Sequence, residues 1–519
     1  MNESSWQEWA ITITTFLPIV GALVILLVPK EKDKMIRGLG VVIMALAFVC
    51  AAVIAFQFDY GRSGELQFVQ NVKWIPVIGA RYHVGIDGLS MPLFVLTYLL
   101  GLLCAIYTYR YVPQPGRTKA FVALTLLLIT GMAGTFIAFD LILFFVFWEL
   151  VLVPMYFLIG VWGSANRQYA SIKFFLYTLF GSVFMLLGFL ALYFNGPVDP
   201  VTGAHTFDLQ AITAFGAGGG YAHTFQLLVF GAIALGFAVK VPMWPFHTWL
   251  PDAHTEAPTI GSVLLAGIML KMGTYGFVRI ALPVMPEGAV AYAPWIGALA
   301  AIAIVYAALA CLAQKDLKRL IAFSSVGHMG FVMLGIATLT TIGIQAAIFG
   351  MVAHGVITGM LFFLVGSIYD RYHTREIAAI GGGMSELMPK MAGIFAFVAI
   401  ASLGLPGLAG FWGEIMALLG SFSPNTAVGL NVGLYRTFMI IGGIGTILTA
   451  GYFLWMLQRV NQGEAPVAWK DHHFRDILAV EWVSWVPLLA LTLVLGLLPS
   501  LILDTTATGV DAIVKIVTG

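Results

Sequence analysis

The sequence predicts an all-α polytopic membrane protein with about 14 transmembrane helices, and two observations lead to this fold class. Of its 519 residues, 60% are hydrophobic and only 10% are charged, whereas soluble domains carry roughly 25% charged residues. Apolar runs of about 20 residues, the length of helix that crosses a bilayer, recur along the whole chain. The net charge of +1 and the lack of a basic tract argue against a nucleic-acid partner.

The apolar runs give the position of each expected span. In chain order they lie near residues 9–28, 36–57, 89–110, 119–138, 141–162, 169–194, 225–250, 258–282, 290–313, 317–339, 342–369, 389–421, 434–458 and 480–503. Proline and glycine interrupt the seventh and twelfth runs, so we expect broken helices there. The chain starts with MNESSWQEWAITITTF, which lacks a basic region and an Ala-x-Ala cleavage site, and we therefore expect a retained helix rather than a signal peptide.

Three longer polar connections separate the spans, at residues 58–88, 195–224 and 459–479. The first alternates polar and apolar residues around Trp74 and Tyr82. This period of two is typical of strands, so we expect a small β-hairpin. The second connection contains AFGAGGG and is expected to be a surface loop, because glycine-rich stretches between periodic segments favour loops.

Lysine and arginine are unevenly distributed between alternate connections. If the N-terminus lies outside, the inner connections hold Lys30, Lys32, Lys34, Arg37, Arg110, Arg117, Lys119, Arg167, Lys173, Lys315, Lys318, Arg319, Arg371, Arg375, Lys390, Arg459, Lys470 and Arg475. The outer connections hold only Arg62, Lys73, Arg81, Arg279, Arg436 and Lys515. Because cytoplasmic loops carry the excess of positive residues, we expect both termini on the outer side.

Six ionisable side chains lie within the apolar runs, where a charge costs about 2.5 kcal/mol or more. They are Glu149, Lys240, Lys271, His328, His354 and Glu414. Ionisable residues inside a membrane commonly mark a path for ions or protons. The alternative is a structural role, with Glu149 and Lys240 as an inert ion pair and the histidines as simple hydrogen-bonding groups. We prefer the pathway, because a buried ion pair contributes little net stability.

Lys240 lies beside a predicted helix break in the stretch KVPMWPFHTWLPDAHTEAPT (240–259). Pro242 and Pro245 cannot continue the helix, so Lys240 ends a half-helix. The C-terminal end of a helix dipole is negative and favours a cation there. We expect the lysine to pair reversibly with Glu149 and to control a proton held further along the chain.

Glu414 lies beside the second predicted break, SLGLPGLAG (402–410). If the helix resumes at Phe411, Glu414 falls in the first turn of a new half-helix. The N-terminal end of a helix dipole is positive and favours an anion. Both breaks therefore carry a charge of the sign that the local dipole prefers.

The two breaks are five spans apart, which predicts an internal repeat. Broken helices with charges near mid-membrane are typical of transporters built from inverted repeats, and an odd number of helices inverts the topology of the second copy. We therefore divide the chain into residues 1–118 with three helices, a first repeat at 119–282, a second at 283–460, and a C-terminal part at 461–519.

No motif for a redox cofactor or a metal is visible. The cysteines, Cys50, Cys104 and Cys311, are scattered through apolar runs and form neither a disulfide framework nor a metal-binding spacing. No Gly-x-Gly-x-x-Gly follows a strand pattern, and no phosphate loop is present. We expect this chain to bind neither a redox cofactor nor a metal.

Four stretches of the chain are long and distinctive. They are HTWLPDAHTEAPTIGSVLLAGIMLKMGTYG (247–276), QKDLKRLIAFSSVGHMGFV (314–332), AHGVITGMLFFLVGSIYDRYHTREI (353–377) and GLPGLAGFWGE (404–414). They closely resemble the M subunits of bacterial respiratory complex I, which are proton-pumping subunits of NADH:quinone oxidoreductase and counterparts of mitochondrial subunit four. The resemblance extends from the expected hairpin to the last span.

The resemblance implies an antiporter-like fold of fourteen helices with two inverted five-helix repeats. It also implies a proton path through Glu149, Lys240, Lys271, His328, His354 and Glu414. Flavin, iron–sulfur clusters and the NADH and quinone sites would lie on other subunits. The partners would be further membrane-arm subunits, including L-type and N-type antiporter-like subunits, in a bacterial inner membrane with both termini on the periplasmic side.

Three functions from different classes stay open at this point. The first is a proton-translocating subunit of a redox enzyme. The second is a subunit of a multi-subunit cation/proton antiporter, for which the D-type subunits are the main rival family. The third is a membrane scaffold with inert ion pairs, for which neutralising the charges would affect assembly alone.

Overall fold

Long apolar helices make up most of the chain in the computed structural model, which describes residues 5–110, 112–198 and 203–519. Within these ranges, 13 helices are long and apolar enough to cross a membrane. Two shorter apolar helices, Pro389–Ser402 and Ala409–Phe422, follow one another at the position of the twelfth expected span. Counted as one broken span, they bring the total to the predicted fourteen.

The spans are numbered 1 to 14 in chain order, and the halves of the broken ones are 7a, 7b, 12a and 12b. They are Trp6–Leu27, Asp33–Gln57, Met91–Arg110, Thr118–Ile137, Leu141–Trp162, Arg167–Asn195, His223–Lys240 with Trp249–Glu256, Thr259–Val284, Pro286–Leu312, Leu317–Ala337, Thr341–Tyr372, Pro389–Ser402 with Ala409–Phe422, Val432–Val460 and Ala479–Leu497. Spans 8, 10 and 11 form the centre, because 94%, 89% and 100% of their most apolar segments are buried.

Span 7 breaks where the sequence predicts, because Pro242 has no N–H for the carbonyl of Ala238. The N–H of Met243 donates to that carbonyl instead, at 2.9 Å. This leaves the carbonyl of Val239 without its helical partner, and the indole N–H of Trp249 donates to it at 2.9 Å. Both carbonyls at the break are therefore paired, in a region where an unpaired polar group is costly.

Span 12 also breaks as predicted, but the second half begins earlier than expected. Half-span 12b starts at Ala409 with Leu408 as its N-cap, so Glu414 lies in the second turn and not in the first. The interaction with a helix dipole falls off within the first turn. The dipole argument for Glu414 is therefore wrong, and other contacts must hold this side chain.

Span 8 contains two turns of π-helix, Leu265–Met269 and Phe277–Ala281, which the sequence analysis did not predict. A π-turn shifts the register of backbone hydrogen bonds, and such turns are frequent at functional sites. The ammonium of Lys271 donates to the carbonyl of Ala266, inside the first of these turns. The distortion thus supplies a backbone partner for a lysine buried in the centre of the bundle.

The connection between spans 2 and 3 forms the expected hairpin. Strand β1, Gln67–Ile75, pairs antiparallel with strand β2, Ala80–Ile86. The backbone N–H of Arg81 donates to Asp140 at 2.9 Å, and the other oxygen of Asp140 caps the first turn of span 5. The hairpin is therefore fastened to the end of span 5 by one carboxylate.

The loop expected between spans 6 and 7 contains a short helix, Leu209–Ala217. Residues 199–202 of this loop lie outside the described ranges. Asp208 caps this helix and lies 2.6 Å from the imidazole of His83 on the hairpin. Burial acts to raise the pKa of Asp208, but hydrogen bonds from His83 and from the N–H of Ala211 outweigh it and leave the pKa lowered. The charged carboxylate thus joins the loop to the hairpin.

The C-terminal part departs from the expected pattern. Span 14 ends at Leu497, not near residue 503, and a separate amphipathic helix, Ser500–Thr518, follows it. Pro499 lies between the two helices, and the residue before a proline disfavours helical geometry. The new helix contacts the hairpin loop through Ser63 and Thr508, and span 11 through Thr341 and Asp511.

Trp6, at the start of span 1, and the C-terminal helix lie at the same end of the bundle. The indole of Trp6 donates to the side chain of Gln57, where span 2 ends and the hairpin connection begins. The C-terminal helix contacts that same connection through Ser63. An even number of spans requires this arrangement, so the contacts agree with the expected topology.

We predict that residues 32 and 515 are reached from opposite sides of the membrane. Both side chains are exposed, and lysines cluster around residue 32 as they do in cytoplasmic loops. In closed vesicles of known orientation, a membrane-impermeant thiol reagent should label Lys515→Cys from the outer side. Lys32→Cys should react only from the inner side. Labelling of both positions from one side would contradict the topology.

Candidate functional site

A row of four buried polar side chains crosses the centre of the bundle. Nζ of Lys271 on span 8 lies 2.5 Å from Nδ1 of His354 on span 11. The ring of His354 is 5.7 Å from the ring of His328 on span 10, measured between centroids. Nδ1 of His328 lies 3.1 Å from Oε1 of Glu414 on half-span 12b. The structure therefore brings four of the six predicted site residues into one continuous row.

Glycines allow the helices to approach closely enough for these contacts. A Cβ on Gly355 would lie 2.7 Å from the carbonyl oxygen of Gly267, closer than real Cβ atoms come to such an atom. Gly355 follows His354 in sequence, and Gly267 lies in the π-turn that precedes Lys271. The close approach of spans 8 and 11 at this point therefore sets the distance between the lysine and the histidine.

A similar contact brings Glu414 close to the row. A Cβ on Gly413 would lie 2.8 Å from the Cα of Gly350 on span 11. Gly413 precedes Glu414, and Gly350 lies one turn before His354. Half-span 12b is thus packed against span 11 through backbone contact, which directs the glutamate toward the histidines although it lies beyond the first turn of its helix.

His328 joins the two halves of span 12. Its Nδ1 faces Glu414 on half-span 12b, and its Nε2 lies 3.0 Å from Oγ of Ser402, the last residue of half-span 12a. One imidazole therefore contacts both sides of the break. The sequence analysis did not single out Ser402, because a serine at the end of an apolar run gives no signal of its own.

A small cavity lies beside this row. Its volume is about 30 Å³, and its lining includes His328, His354, Thr358, Ser402 and Glu414. Within the described part of the chain, three polar atoms of the lining have no hydrogen-bond partner: Nε2 of His354, Oγ1 of Thr358 and Oε2 of Glu414. A cavity of roughly 10–15 Å³ is large enough for one water molecule, which needs two to four polar partners. The cavity thus has the size and chemistry of a water site.

Glu149 and Lys240 lie in the first half of the chain and are not in direct contact. The nitrogen of Lys240 and the carboxylate oxygens of Glu149 are more than 4 Å apart, beyond the limit of an ion pair. Nζ of Lys240 lies 5.1 Å from the centroid of the Trp148 ring instead. Successive residues of a helix face different directions, so Trp148 faces span 7 while the neighbouring Glu149 is only half-buried. The expected pair is thus absent in this state, although the two charges are near enough to interact electrostatically.

Two further histidines, which were not predicted as site residues, lie at the break of span 7 and on half-span 7b. His247 and His254 are buried, and within the described ranges Nδ1 of His247 and both ring nitrogens of His254 lack a hydrogen-bond partner. The ring of His254 stacks on Phe362 of span 11, 4.5 Å away. Residues 240, 247 and 254 are evenly spaced in the sequence, a pattern that could have pointed to the two histidines. The predicted helix break hid this pattern, because a helical period does not continue across a break.

Asp252 ties half-span 7b to two other spans. Its carboxylate lies 2.7 Å from Nζ of Lys173 on span 6 and 3.4 Å from the guanidinium of Arg319 on span 10. One residue away from Arg319, the buried Lys318 donates to the carbonyl of Ala257. Lys173 therefore acts as a local partner of Asp252.

No cluster suited to a metal ion is found among the residues that the structure describes. This holds for groups of three or more histidine, cysteine, aspartate and glutamate side chains in residues 5–110, 112–198 and 203–519. The row instead consists of one amine, two imidazoles and one carboxylate, all groups that can accept and release protons.

The sequence is similar to one known family and to relatives that carry names from that family. The family described as NADH:quinone oxidoreductase/Mrp antiporter, transmembrane, matches residues 138–440. The chain is 42% identical over 499 residues to the NADH-quinone oxidoreductase subunit M of Rickettsia bellii, which covers 95% of this chain and 96% of the relative. It is 38% identical over 493 residues to the NADH-ubiquinone oxidoreductase chain 4 of Chondrus crispus, with 95% of each chain covered.

Comparison with solved structures shows a similar fold. A chain of the respiratory complex I from Thermus thermophilus with bound NADH superposes with a TM-score of 0.85 at 28% identity, covering 98% of this chain and 100% of that one. A chain of the Mrp complex from Dietzia sp. DQ12-45-1b superposes with a TM-score of 0.83 at 20% identity, covering 99% and 100%. The second likeness concerns the fold alone.

We predict that Gly355→Ala destabilises the protein by about 1–3 kcal/mol, because an added methyl group overpacks the contact between spans 8 and 11. Gly451→Ala on span 13 is the matched control, since a Cβ there meets nothing within 4 Å. The midpoint of thermal unfolding in detergent should fall for Gly355→Ala and stay unchanged for Gly451→Ala. Equal midpoints for the two variants would show that the close approach is not needed.

Proposed function

This chain belongs to the NADH:quinone oxidoreductase/Mrp antiporter family of transmembrane subunits, and we propose that its buried polar row carries protons through the membrane. The chain is a membrane-arm subunit of a proton-translocating NADH:quinone oxidoreductase, complex I. In such an enzyme the electron transfer from NADH to quinone drives the proton movement. We place the flavin and the iron–sulfur clusters on partner subunits.

The continuous row from Lys271 to Glu414 supports this proposal most directly. It runs through four helices that belong to both expected repeats, and its members are buried or nearly so. Charged and polar groups inside a membrane are costly, so a connected series of them calls for a functional explanation. The cavity beside the histidines adds a place where one water molecule can complete the connection.

The proton moves along the row in steps between neighbouring groups. The ammonium of Lys271 gives a proton to Nδ1 of His354, which lies within hydrogen-bond distance. Nε2 of His354 faces the cavity, and from there the proton crosses to Glu414 beside His328. The lysine then stands neutral and takes the next proton. Transfers of this kind require donor and acceptor to be within direct reach or one water apart.

Lys240 and Glu149 control the row in this scheme. A charged Lys240 disfavours a second positive charge on Lys271, and the effect is strong at low effective dielectric. When Glu149 moves against Lys240, the pair is neutral and Lys271 holds its proton. When the glutamate withdraws, as in the structure described here, the row discharges toward Glu414. His247 and His254 are placed to refill the row from the side of half-span 7b.

The proposal also covers the internal repeats, the neighbouring subunits and the orientation in the membrane. We place residues 119–282 and 283–460 as inverted repeats, flanked by 1–118 and 461–519. The neighbours include L-type and N-type antiporter-like subunits, and the membrane is the bacterial inner membrane with both termini on the periplasmic side. The uneven distribution of lysine and arginine supports this orientation.

The antiporter alternative has less support than the complex I function. The relatives named as NADH-quinone oxidoreductase subunits are 38% and 42% identical over nearly the full chain. The chain from the Mrp complex is 20% identical and shares the fold. The scaffold alternative predicts that neutralising the buried charges affects assembly alone, and substitutions separate it from a proton path.

We predict that Lys240→Ala lowers NADH-driven proton pumping by about tenfold or more, since a positioned proton-transfer group commonly contributes at least that factor. Lys240→Arg should impair pumping as well, because a guanidinium is effectively never deprotonated in proteins. Glu149→Gln should resemble the alanine variant, and Glu149→Asp should retain part of the activity. Pumping is measured in reconstituted vesicles.

Oxidation of NADH by an artificial acceptor that bypasses the membrane arm is the control for these variants. Its rate should stay unchanged while pumping and quinone-linked turnover fall together. Lys515→Arg, at an exposed position, controls for the substitution itself. Pumping at the wild-type rate by Lys240→Arg would exclude lysine deprotonation and favour the structural role.

We predict that Glu414→Ala lowers pumping by about tenfold or more while the complex still assembles, because the row loses its last proton acceptor. Glu414→Asp should keep some activity, since the shorter carboxylate still faces the cavity. Glu464→Ala removes an exposed carboxylate and should have no effect. An assembled Glu414→Ala enzyme that pumps normally would place the glutamate outside the path.

A further inference from the structure

Ser402 differs from several other buried serines of the spans in the partner of its hydroxyl. The hydroxyls of Ser182, Ser421 and Ser484 each donate to the carbonyl four residues earlier in their own helix. Ser402 is 3% exposed and ends half-span 12a, yet its Oγ lies 3.0 Å from Nε2 of His328 on another span. No second hydrogen-bond partner of this hydroxyl is found among the described residues. The serine is therefore directed at the imidazole.

The other side of the imidazole determines which group donates. A neutral imidazole carries one N–H donor and one acceptor nitrogen, and an ionised carboxylate accepts hydrogen bonds only. Nδ1 of His328 faces Oε1 of Glu414 at 3.1 Å, so the N–H must be on Nδ1 while the glutamate is charged. Nε2 is then the acceptor, and the hydroxyl of Ser402 donates to it. Serine and glutamate together select one tautomer.

We propose that Ser402 is a proton-relay residue that selects the tautomer of His328 and transfers protons from the cavity to it. This inference rests on the function proposed above and names the route across the cavity. Ser402 is suited to the role because its hydroxyl lines the cavity that His354 also faces. A hydroxyl can donate and accept at once, so it can connect a cavity water to the imidazole.

The transfer balances at each atom. A protonated water in the cavity gives a proton to Oγ of Ser402, while the serine gives its own proton to Nε2 of His328. The Nδ1–H bond of His328 breaks, and that proton forms an O–H bond with Oε1 of Glu414. The serine is unchanged, Glu414 becomes neutral, and the imidazole ends as the opposite tautomer. The ring must return to the first tautomer before another proton passes, so each reset admits one proton.

The test compares three serine variants in the assembled complex reconstituted in vesicles. Ser402→Ala removes the hydroxyl and should lower NADH-driven pumping by about five- to tenfold, the factor expected for one lost hydrogen bond. Ser402→Thr keeps the hydroxyl, which can still donate and accept, so it should restore at least half of the pumping. Ser421→Ala is the matched control, because Ser421 is a buried serine on half-span 12b whose hydroxyl bonds its own helix.

The outcomes separate this inference from the function on which it rests. Restored pumping by Ser402→Thr with a deficient Ser402→Ala supports the relay, because a serine that only fills space would not require the hydroxyl. If Ser402→Ala pumps like Ser421→Ala while Glu414→Ala is impaired, the relay through Ser402 is wrong and the path stands. If Ser402→Thr is as deficient as Ser402→Ala in an assembled complex, the hydroxyl is not the relevant group. Normal pumping by Glu414→Ala would overturn the path itself.

Discussion

The cost of an unpaired polar group in hydrocarbon governs this structure. Every backbone N–H and C=O at membrane depth needs a partner, so the chain crosses as helices and departs from helical geometry only where another group takes over. At the break in span 7, the indole N–H of Trp249 donates a hydrogen bond to the carbonyl of Val239. In the first π-turn of span 8, the ammonium of Lys271 donates one to the carbonyl of Ala266. These two departures thus coincide with a side chain of the proposed proton path or with one next to it.

The same cost concentrates the ionisable groups in the centre. Spans 8, 10 and 11 are almost fully enclosed, and they carry Lys271, His328 and His354. Small residues allow the close approach of these spans, as at Gly267 and Gly355. A side chain on Gly355 would press against the carbonyl of Gly267 and push the two spans apart. The proposed proton path therefore depends on helix packing as well as on the ionisable residues themselves.

The predicted site residues differ in how far they are connected. Lys271 of the first expected repeat contacts His354 of the second, and His328 contacts Glu414 and joins both sides of the break in span 12. Lys240 and Glu149 of the first repeat are not in contact, and Nζ of Lys240 lies 5.1 Å from the ring of Trp148. Under the proposed function, the connected group can release a proton while Lys240 holds one.

The sequence by itself determined the features that depend on local chemistry. Apolar run length defined the fourteen spans, prolines and glycines located the breaks after Lys240 and Ser402, residue alternation indicated the hairpin, and ionisable residues in apolar runs identified the candidate site. Tertiary structure decided which of these groups meet: Lys271 contacts His354, Glu149 stays apart from Lys240, and His254, Ser402 and the helix Ser500–Thr518 take unexpected places. The physical reason is that the rotation of a helix and its distance from its neighbours depend on packing contacts between residues far apart in the chain, and no local pattern encodes them.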